Sequence, residues 1–415
     1  MKISTARATL ILILCCAGVA RADPPGSPLG AEFQVNTFTA GDQQLPAVAR
    51  APNGDFVVVW DGDGEDGSLS GIYAQRYAAD GTPQGAEFRV NTFTRNRQTF
   101  PAIAMDASGD FVVVWESDSQ TGLGLGVYAQ RFAADGTPLG VEFKVNSGAR
   151  DTYPLPVVAM NAAGDFLVAW LERENLLAGA GKTQVAYLYV QRFLASGTAV
   201  GAPILVDSSL FTKSRFACAA MNAAGNFAVA WDADGQGGAL AGIFARGYAP
   251  DGTALSQATR VSPYGVGFPV DQGSRDERPV IAMAGNGSFV VAWENLPPEL
   301  TVGRVYARRM SLAGTPLAGA VRVGGAGMQR NPSVGMDPAG QFVVAAQGNG
   351  IYAQRYAANG AAAGPEFRVD SAAGSYTQLN AGAAMDAVGN FVVTWQNRGQ
   401  DGDGRGIFAR RYAGP

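Results

Sequence analysis

The sequence of 415 residues predicts an all-β chain in which seven copies of a four-stranded unit close into a ring, a seven-bladed β-propeller. Three observations support this prediction. One sequence unit recurs seven times, and each copy holds four short apolar runs separated by turn signals. The chain also opens with the strand that its last copy lacks.

The first 22 residues have the features of a secretory signal peptide. Lys2 and Arg7 give a positively charged start, and residues 8–20 form an apolar run. Ala20-Arg21-Ala22 is a small-x-small cleavage site, so we predict cleavage before Asp23. The run is too short for a permanent membrane span, and no later stretch reaches about 18 apolar residues. We therefore expect an exported protein, periplasmic or extracellular, without a transmembrane segment after cleavage.

The composition fits a large folded body and excludes several classes of function. The 55 glycines and 22 prolines suit a chain with many tight turns, while 47% apolar residues exclude disorder. A net charge of −4 offers no basic surface, so nucleic acid is not an expected partner. The chain contains no histidine, which removes Ser-His-Asp and Cys-His catalysis and histidine metal sites.

Cysteine usage excludes an internal disulfide. Outside the predicted signal peptide the only cysteine is Cys218, and it lies within an apolar strand. Stability must therefore come from packing, and we expect Cys218 to be a buried small hydrophobic residue rather than a reactive thiol.

The repeats occupy residues 30–84, 85–139, 140–200, 201–255, 256–317, 318–363 and 364–415. The second repeat is the clearest, and its predicted strands A, B, C and D are Pro101 to Met105, Phe111 to Trp115, Val127 to Phe132 and Glu142 to Val145. Between A and B the chain reads Asp106-Ala107-Ser108-Gly109, and between C and D it reads Asp135-Gly136. Both sequences predict tight hairpins closed by a glycine.

Strand B is almost continuously apolar, as in Phe56-Val57-Val58-Val59-Trp60, so both of its faces must be covered. A propeller meets this demand by placing each blade between two neighbours. A stacked solenoid is the alternative, but its end repeats are usually atypical. Here residues 32–35 read as a lone D strand and residues 407–412 as a final C strand. Pairing these two segments would close the ring without an exposed sheet edge.

The blocks G-x-E-F-x-V-N, F-V-V-x-W and I-Y-A-Q-R-[FY] resemble propeller repeats of bacterial exported and surface proteins. The D-x-x-G-N-F-V-V hairpin is similar to the inner hairpin of NHL-like propellers. The resemblance covers essentially the whole chain after the predicted signal peptide. It implies a fold and an exported location, and it implies no catalytic residues.

Three sets of equivalent residues recur around the predicted ring. The tryptophan ring has two interpretations, packing between blades or a stacking platform for sugars, and we favour packing because the position ends a buried strand. For the methionine ring we expect gap-filling core packing. For the arginine ring we expect structural ion pairs with strand-D acids such as Glu87 or Glu142. The three rings are Trp60, Trp115, Trp170, Trp231, Trp293 and Trp395; Met105, Met160, Met221, Met283, Met336 and Met385; and Arg76, Arg131, Arg192, Arg309, Arg355 and Arg411.

Antiparallel strands place the A–B and C–D turns on one face of the disc and the B–C and D–A loops on the other. The second face is the more variable, with the longest departures from the repeat at residues 171–185, 263–277 and 294–304. Variable loops on a rigid scaffold are typical of a recognition surface, although unconstrained drift is the simpler alternative.

Two B–C loops carry the one sequence feature that suggests a metal. Carboxylates alternate with glycine in residues 61–67 and again in residues 401–404. Calcium prefers six to eight oxygen ligands from such acidic loops, but neither loop completes the EF-hand pattern. The alternative is a solvated turn. The candidate calcium ligands are Asp61, Asp63, Asp66, Asp401 and Asp403.

The sequence favours a non-enzymatic binding or adhesion module that presents its B–C and D–A loops to a glycan, a surface protein or an envelope component, with calcium as an optional cofactor. One alternative is a carboxylate-based hydrolase or lyase, but no unique pair of acids stands out and no catalytic residue is assigned. The other alternative is a purely structural assembly module.

Overall fold

The computed structural model describes residues 24–122, 124–146, 155–178, 181–209, 216–233, 242–263, 275–297, 303–325, 329–371 and 378–414, without the side chains of 175–178, 181–184, 209 and 275. In these ranges 28 strands form seven antiparallel sheets of four strands each, and there is no helix. The predicted signal peptide, residues 1–22, lies outside the described residues.

Each blade runs from strand A at the centre of the ring to strand D at its rim. The A strands are β2 (Gln43–Arg50), β6 (Gln98–Met105), β10 (Val157–Met160), β14 (Ala217–Met221), β18 (Arg275–Met283), β22 (Arg330–Met336) and β26 (Gln378–Met385). The B strands are β3 (Phe56–Asp63), β7 (Phe111–Asp118), β11 (Phe166–Ala178), β15 (Phe227–Ala233), β19 (Phe289–Leu296), β23 (Phe342–Gln347) and β27 (Phe391–Arg398).

The C strands are β4 (Ser70–Tyr77), β8 (Leu125–Phe132), β12 (Gly181–Phe193), β16 (Gly242–Tyr248), β20 (Arg304–Met310), β24 (Ile351–Tyr356) and β28 (Arg405–Tyr412). The D strands are β5 (Phe88–Arg89), β9 (Phe143–Lys144), β13 (Ala199–Ser209), β17 (Thr259–Arg260), β21 (Val321–Arg322) and β25 (Phe367–Arg368), and β1 (Phe33–Gln34) supplies the seventh.

The ring closes where the sequence predicts. Phe33 pairs with Ala409 and Gln34 with Phe408, so β1 completes the sheet formed by β26, β27 and β28. The A strands contact one another in a closed cycle, including β2 against β26. The chain is a seven-bladed β-propeller. Its closure removes the open sheet edge that a linear array of blades would leave.

The B strands form the core because each is covered on both faces by neighbouring blades. Side chains of β3, such as Val57 and Val59, pack in one cluster with Phe111, Val113 and Trp115 of the next blade. All six members of the tryptophan ring are at most 3% exposed, so the packing interpretation is confirmed and a sugar platform at these residues is excluded. Burying each indole contributes on the order of 3 kcal/mol. Cys218 is buried as expected.

The turns form as predicted. Asp106 Oδ1 accepts hydrogen bonds from the backbone N–H groups of Ser108 and Asp110 at 2.8 and 3.0 Å, and Gly109 follows at a φ of 88°. Glycine is needed at this position because other residues adopt a positive φ only at a cost.

The arginine ring does not form the expected ion pairs. Arg76 Nη1 donates to the carbonyl of Ala134 in the C–D turn of the next blade at 2.8 Å. The expected acceptor Glu87 instead binds the backbone N–H and the hydroxyl of Thr37 through its Oε2 atom. The prediction of the partner was therefore wrong. A guanidinium reaches the nearest exposed carbonyls of the adjacent turn, and the D-strand acids are already engaged by the preceding loop.

In blade four, Gly247 occupies the position of the arginine ring, and the close approach of the next blade explains this glycine. A Cβ atom at Gly247 would lie only 2.1 Å from the carbonyl oxygen of Leu312, which belongs to the next C–D turn. The two blades approach so closely here that no side chain fits between them.

Blade three departs from the repeat. Residues 171–178 and 181–185, predicted as part of a long loop, lie in β11 and β12, which pair as far as Ala178 and Gly181. In the described residues the departure is thus a longer strand pair. The other two long loops lie partly outside the described residues, at positions 264–274 and 298–302.

Candidate binding site at the channel mouth

Seven equivalent residues surround one end of the central channel, where each A strand begins. They line a cavity of about 340 Å³ on the face that carries the D–A loops, the face predicted for recognition. We call this set the channel mouth: Leu45, Phe100, Leu155, Phe216, Arg278, Asn331 and Asn380.

Six of the seven mouth residues adopt a positive φ, between 32° and 55°; Phe216 does not. In five blades the pairing of strands A and B slips at this point, which marks a β-bulge. Bulky side chains such as those of Leu45 and Phe100 occupy this region at a cost of about 1–3 kcal/mol each. The bulge therefore needs hydrogen bonds from neighbouring blades to stabilise its backbone conformation.

That bonding comes from the residue that follows the tryptophan ring position in the preceding blade. The N–H of Leu45 donates to Gln396 Oε1 at 2.8 Å, and the N–H of Asn331 donates to Glu294 Oε2 at 3.3 Å. Asp61 holds the same position behind Phe100 and accepts the hydroxyl of Thr99. A polar side chain in one blade thus fixes the mouth residue of the next.

Blade four tests this relationship within the molecule. The equivalent residue of the blade before it is Leu171, whose side chain has no acceptor atom. Phe216 instead donates its N–H to Asp232 Oδ1 of its own blade at 2.8 Å, and it is the one mouth residue without a positive φ. Loss of the acceptor therefore coincides with loss of the bulge conformation.

The mouth is chemically divided into two arcs. Blades one to four contribute Leu45, Phe100, Leu155 and Phe216, an apolar arc with two aromatic rings. Blades five to seven contribute Arg278, Asn331 and Asn380, a polar arc of hydrogen-bonding groups. A ring that served packing alone would need no such division.

Arg278 lies where the two arcs meet. Its Nη1 atom donates to Asn331 Oδ1 at 2.8 Å, and its guanidinium stacks on the Phe216 ring at 4.7 Å from the centroid. Glu294 lies behind it, with its Oε2 atom 3.9 Å from Arg278 Nε. The Arg278 side chain is still 43% exposed, so it is fixed in orientation and open to a ligand.

The acids behind the mouth are buried. Burial is the main cause that raises the pKa of Asp61 to about 7 and the pKa of Glu116 to about 7, and it also raises the pKa of Glu294. Glu116 and Glu294 each accept a backbone N–H of the following blade, and Asp61 accepts the Thr99 hydroxyl there. These carboxyl groups position the mouth residues.

The predicted calcium ligands do not converge. Asp61 is 1% exposed and accepts the Thr99 hydroxyl at its Oδ2 atom, away from the loop that it begins. The N–H of Ser68 donates to Asp66 Oδ1 at 3.0 Å, and Asp63 is exposed.

In the last blade, Asp401 packs against Gly406, and Asp403 Oδ2 accepts the N–H of Gly41 in the first blade at 3.2 Å. Across the part of the chain that the structure describes, no three carboxylate, cysteine or histidine side chains are grouped to hold a metal ion.

The mouth residues were not predicted as a site, although the sequence carries a signal for them. In five repeats a proline follows the mouth residue, as in Leu45-Pro46 and Asn331-Pro332. The residue before each proline changes from apolar to polar along the chain, and this division was visible in the aligned repeats.

Comparison with known proteins supports the fold and adds no family. No family model matches the chain, and no curated protein matches its sequence. A protein of unknown function from Dyadobacter fermentans superposes with a TM-score of 0.53 at 11% identity, over 95% of this chain and 100% of the other.

Two solved structures of carbohydrate-active enzymes are also similar. An α-L-arabinanase from Penicillium chrysogenum, complexed with arabinobiose, gives a TM-score of 0.51 at 11% identity over 75% of this chain and 93% of its own. An α-L-arabinofuranosidase from Fusarium graminearum, in complex with an iminosugar inhibitor, gives a TM-score of 0.51 at 12% identity, over 75% of this chain and 92% of its own. At these identities the likeness shows a shared fold.

In the described ranges no helix is long and apolar enough to cross a membrane.

Proposed function

We propose that this propeller is an exported binding protein that holds a carbohydrate at the channel mouth. The division of the mouth into an apolar and a polar arc carries the proposal. Sugar rings have apolar C–H faces that pack on aromatic side chains and a rim of hydroxyl groups that need hydrogen bonds. Phe100 and Phe216 suit the first requirement, and Arg278, Asn331 and Asn380 suit the second.

The interior of the mouth supports a rigid, preorganised site. The bulges are fixed by hydrogen bonds from neighbouring blades, such as that from Leu45 to Gln396, so ligand binding does not need to order them. The similar arabinanase, itself complexed with arabinobiose, supports the idea that this fold can carry a sugar site. Export, in the periplasm or outside the cell, and assistance by calcium belong to the proposal as predicted from the sequence.

A glycoside hydrolase is the competing function, favoured by two buried acids with raised pKa values, Asp61 and Glu116. Glycoside hydrolysis usually needs two carboxyl groups facing the same glycosidic bond. Asp61 faces the Thr99 hydroxyl and Glu116 faces a backbone N–H group, each in the following blade, instead. We therefore favour binding without hydrolysis.

The test is a glycan screen followed by calorimetry on the purified chain, in buffers with calcium and with a chelator. Phe100→Ala removes an aromatic ring of the apolar arc and should weaken binding about 10- to 100-fold. Arg278→Met removes the charged donor and should weaken binding by a similar factor. Val388→Ala, at an exposed residue of an A–B turn on the opposite face, is the matched control.

Three results would contradict the proposal. The first is a screen without any carbohydrate ligand. The second is a ligand whose affinity is the same for the wild type and for both mouth variants. The third is release of free sugar from a bound oligosaccharide, because this would favour the hydrolase.

A further inference from the structure

The opposite end of the channel, on the face of the A–B turns, is a second cavity of about 200 Å³. All six members of the methionine ring line it. Six of the nine methionines in the chain therefore meet at one place. The six methionines meet because each is the last residue of its A strand, and the A strands surround the channel.

The sequence predicts the methionine ring to be gap-filling core, and the structure shows a divided role. Each of these side chains packs partly against a core cluster, as Met105 and Met160 do. Each is nevertheless only half-buried and borders the cavity with the rest of its surface. Packing accounts for the buried part of the side chains, and it does not account for six methionines around one cavity.

Thioether sulfur is a soft, polarisable ligand that binds soft metal ions such as Cu(I) in preference to hard ions such as magnesium or calcium. Arg50 stands at the seventh position of the ring, but its charge is matched by Asp386, 3.1 Å away. The carboxyl group of Asp106 also borders the cavity, and its charge favours a cation over an anion.

We propose that the methionine ring binds a monovalent soft cation, Cu(I) or its redox-inert analogue Ag(I), at the A–B end of the channel. The ligands are thioether sulfurs from adjacent blades. This site is separate from the channel mouth, so the proposal does not depend on carbohydrate binding.

The experiment titrates the chain from Asp23 onward with Ag(I), without the two cysteines of the predicted signal peptide, and follows the melting temperature and the heat of binding. A ligand that prefers the folded state raises the melting temperature by mass action. We expect one high-affinity ion per chain and sulfur ligands in X-ray absorption spectra. Met160→Leu combined with Met221→Leu removes two neighbouring thioethers while keeping a similar side-chain volume, and should weaken Ag(I) binding at least tenfold.

Met310→Leu and Cys218→Ala are the controls. Met310 is fully buried in strand C of blade five and does not line the cavity, and Cys218 is the buried thiol. Both variants should bind Ag(I) like the wild type. A variant with leucine at all six ring positions should lose Ag(I) binding. Circular dichroism checks whether this six-fold variant folds. If it does not fold, the Met160→Leu and Met221→Leu double variant provides the test.

Two results would overturn the proposal. One is the absence of any change in melting temperature with Ag(I). The other is Ag(I) binding that persists in the double variant and is lost in Cys218→Ala, which would move the ion to the thiol.

Discussion

Arg50 and Asp386 form a buried ion pair across the junction between the first and last blades, with 3.1 Å between Arg50 Nη2 and Asp386 Oδ2. The two side chains are only 2% and 3% exposed. Arg50 occupies the ring position that holds methionine in the other six blades. The junction at which the propeller closes therefore carries a charge pair at this position, with a guanidinium whose pKa is lowered by burial.

Removing the acid from this pair should cost far more than removing an equivalent acid elsewhere. Asp386→Ala leaves Arg50 buried without its partner and should lower the free energy of unfolding by about 3–5 kcal/mol. Asp337→Ala is the matched control, because Asp337 lies at the equivalent position in the A–B turn of blade six. Its Oδ1 atom accepts the N–H of Gln341 at 2.8 Å. Its loss should cost about 1–2 kcal/mol. Chemical denaturation measures both values.

Replacing both members of the pair should restore most of the stability that Asp386→Ala removes. The double variant Arg50→Met with Asp386→Asn supplies the methionine found in the other blades and keeps an acceptor for the turn. We expect its stability to lie within about 1 kcal/mol of the wild type. Equal losses for Asp386→Ala and Asp337→Ala would show that the ion pair adds nothing to the turn.

The buried acids behind the channel mouth should make stability fall as the pH rises. Burial, aided by Asp118, raises the pKa of Glu116 to about 7, so folded Glu116 keeps its proton where unfolded glutamate has lost it. Stability is then greatest below the unfolded pKa and declines up to about pH 7. Glu116→Gln should remove the part of this decline that Glu116 causes, which is up to about 3 kcal/mol in the free energy of unfolding. Chemical denaturation at a series of pH values from 4 to 8 measures the change.

The chain supplies the reciprocal control for this titration. Gln396 is the equivalent residue in the last blade and accepts the N–H of Leu45, so an amide is compatible with the bulge. Gln396→Glu should steepen the decline of stability with pH. Identical pH profiles for the wild type and both variants would mean that neither position titrates in this range.

The arginine ring offers a test of how the blades are joined. Arg131 donates to the carbonyls of Leu139 and Ala195, the latter in the next blade. Arg131→Met should cost about 1–3 kcal/mol. Because Glu142 binds Thr92 instead, a double-mutant cycle of Arg131→Met and Glu142→Gln should show coupling below about 0.5 kcal/mol. Stronger coupling would restore the ion pair that the sequence suggested.

Export gives a simple prediction at the start of the chain. Expression of the full sequence in a bacterial host should release a protein whose first residue is Asp23, as the site Ala20-Arg21-Ala22 specifies. Amino-terminal sequencing of the periplasmic and medium fractions measures this. Recovery of the uncleaved chain from the cytoplasm would contradict the signal peptide.

The strands and the tight turns could be predicted because each depends on a local pattern that recurs along the chain. The apolar run from Phe56 to Trp60 and the hairpin closed by Gly109 are examples. The ring closure could be predicted because residues 32–35 match the strand that the last repeat lacks. The bulges could not be predicted in this way. The positive φ of Leu45 depends on Gln396, which lies 351 residues away and in another blade.

The directions of the side chains in the acidic loops could not be predicted from the sequence. Asp61 opens an acidic loop in the sequence, yet it points back to Thr99 and Phe100 of the next blade. The extension of blade three was also missed. Residues 171–185 break the repeat pattern, and nothing in their spacing distinguishes a longer strand pair from a loop.

The arginine contacts between blades use main-chain carbonyl groups, such as those of Ala134 and Pro250, as acceptors. Every residue type has a carbonyl, so this docking does not depend on which side chains the neighbour carries. A duplicated blade would find its acceptor already in place wherever the neighbouring C–D turn leaves room for the arginine. A propeller joined in this manner can diverge in its loops, and so in its choice of ligand, while the seams between its blades stay intact.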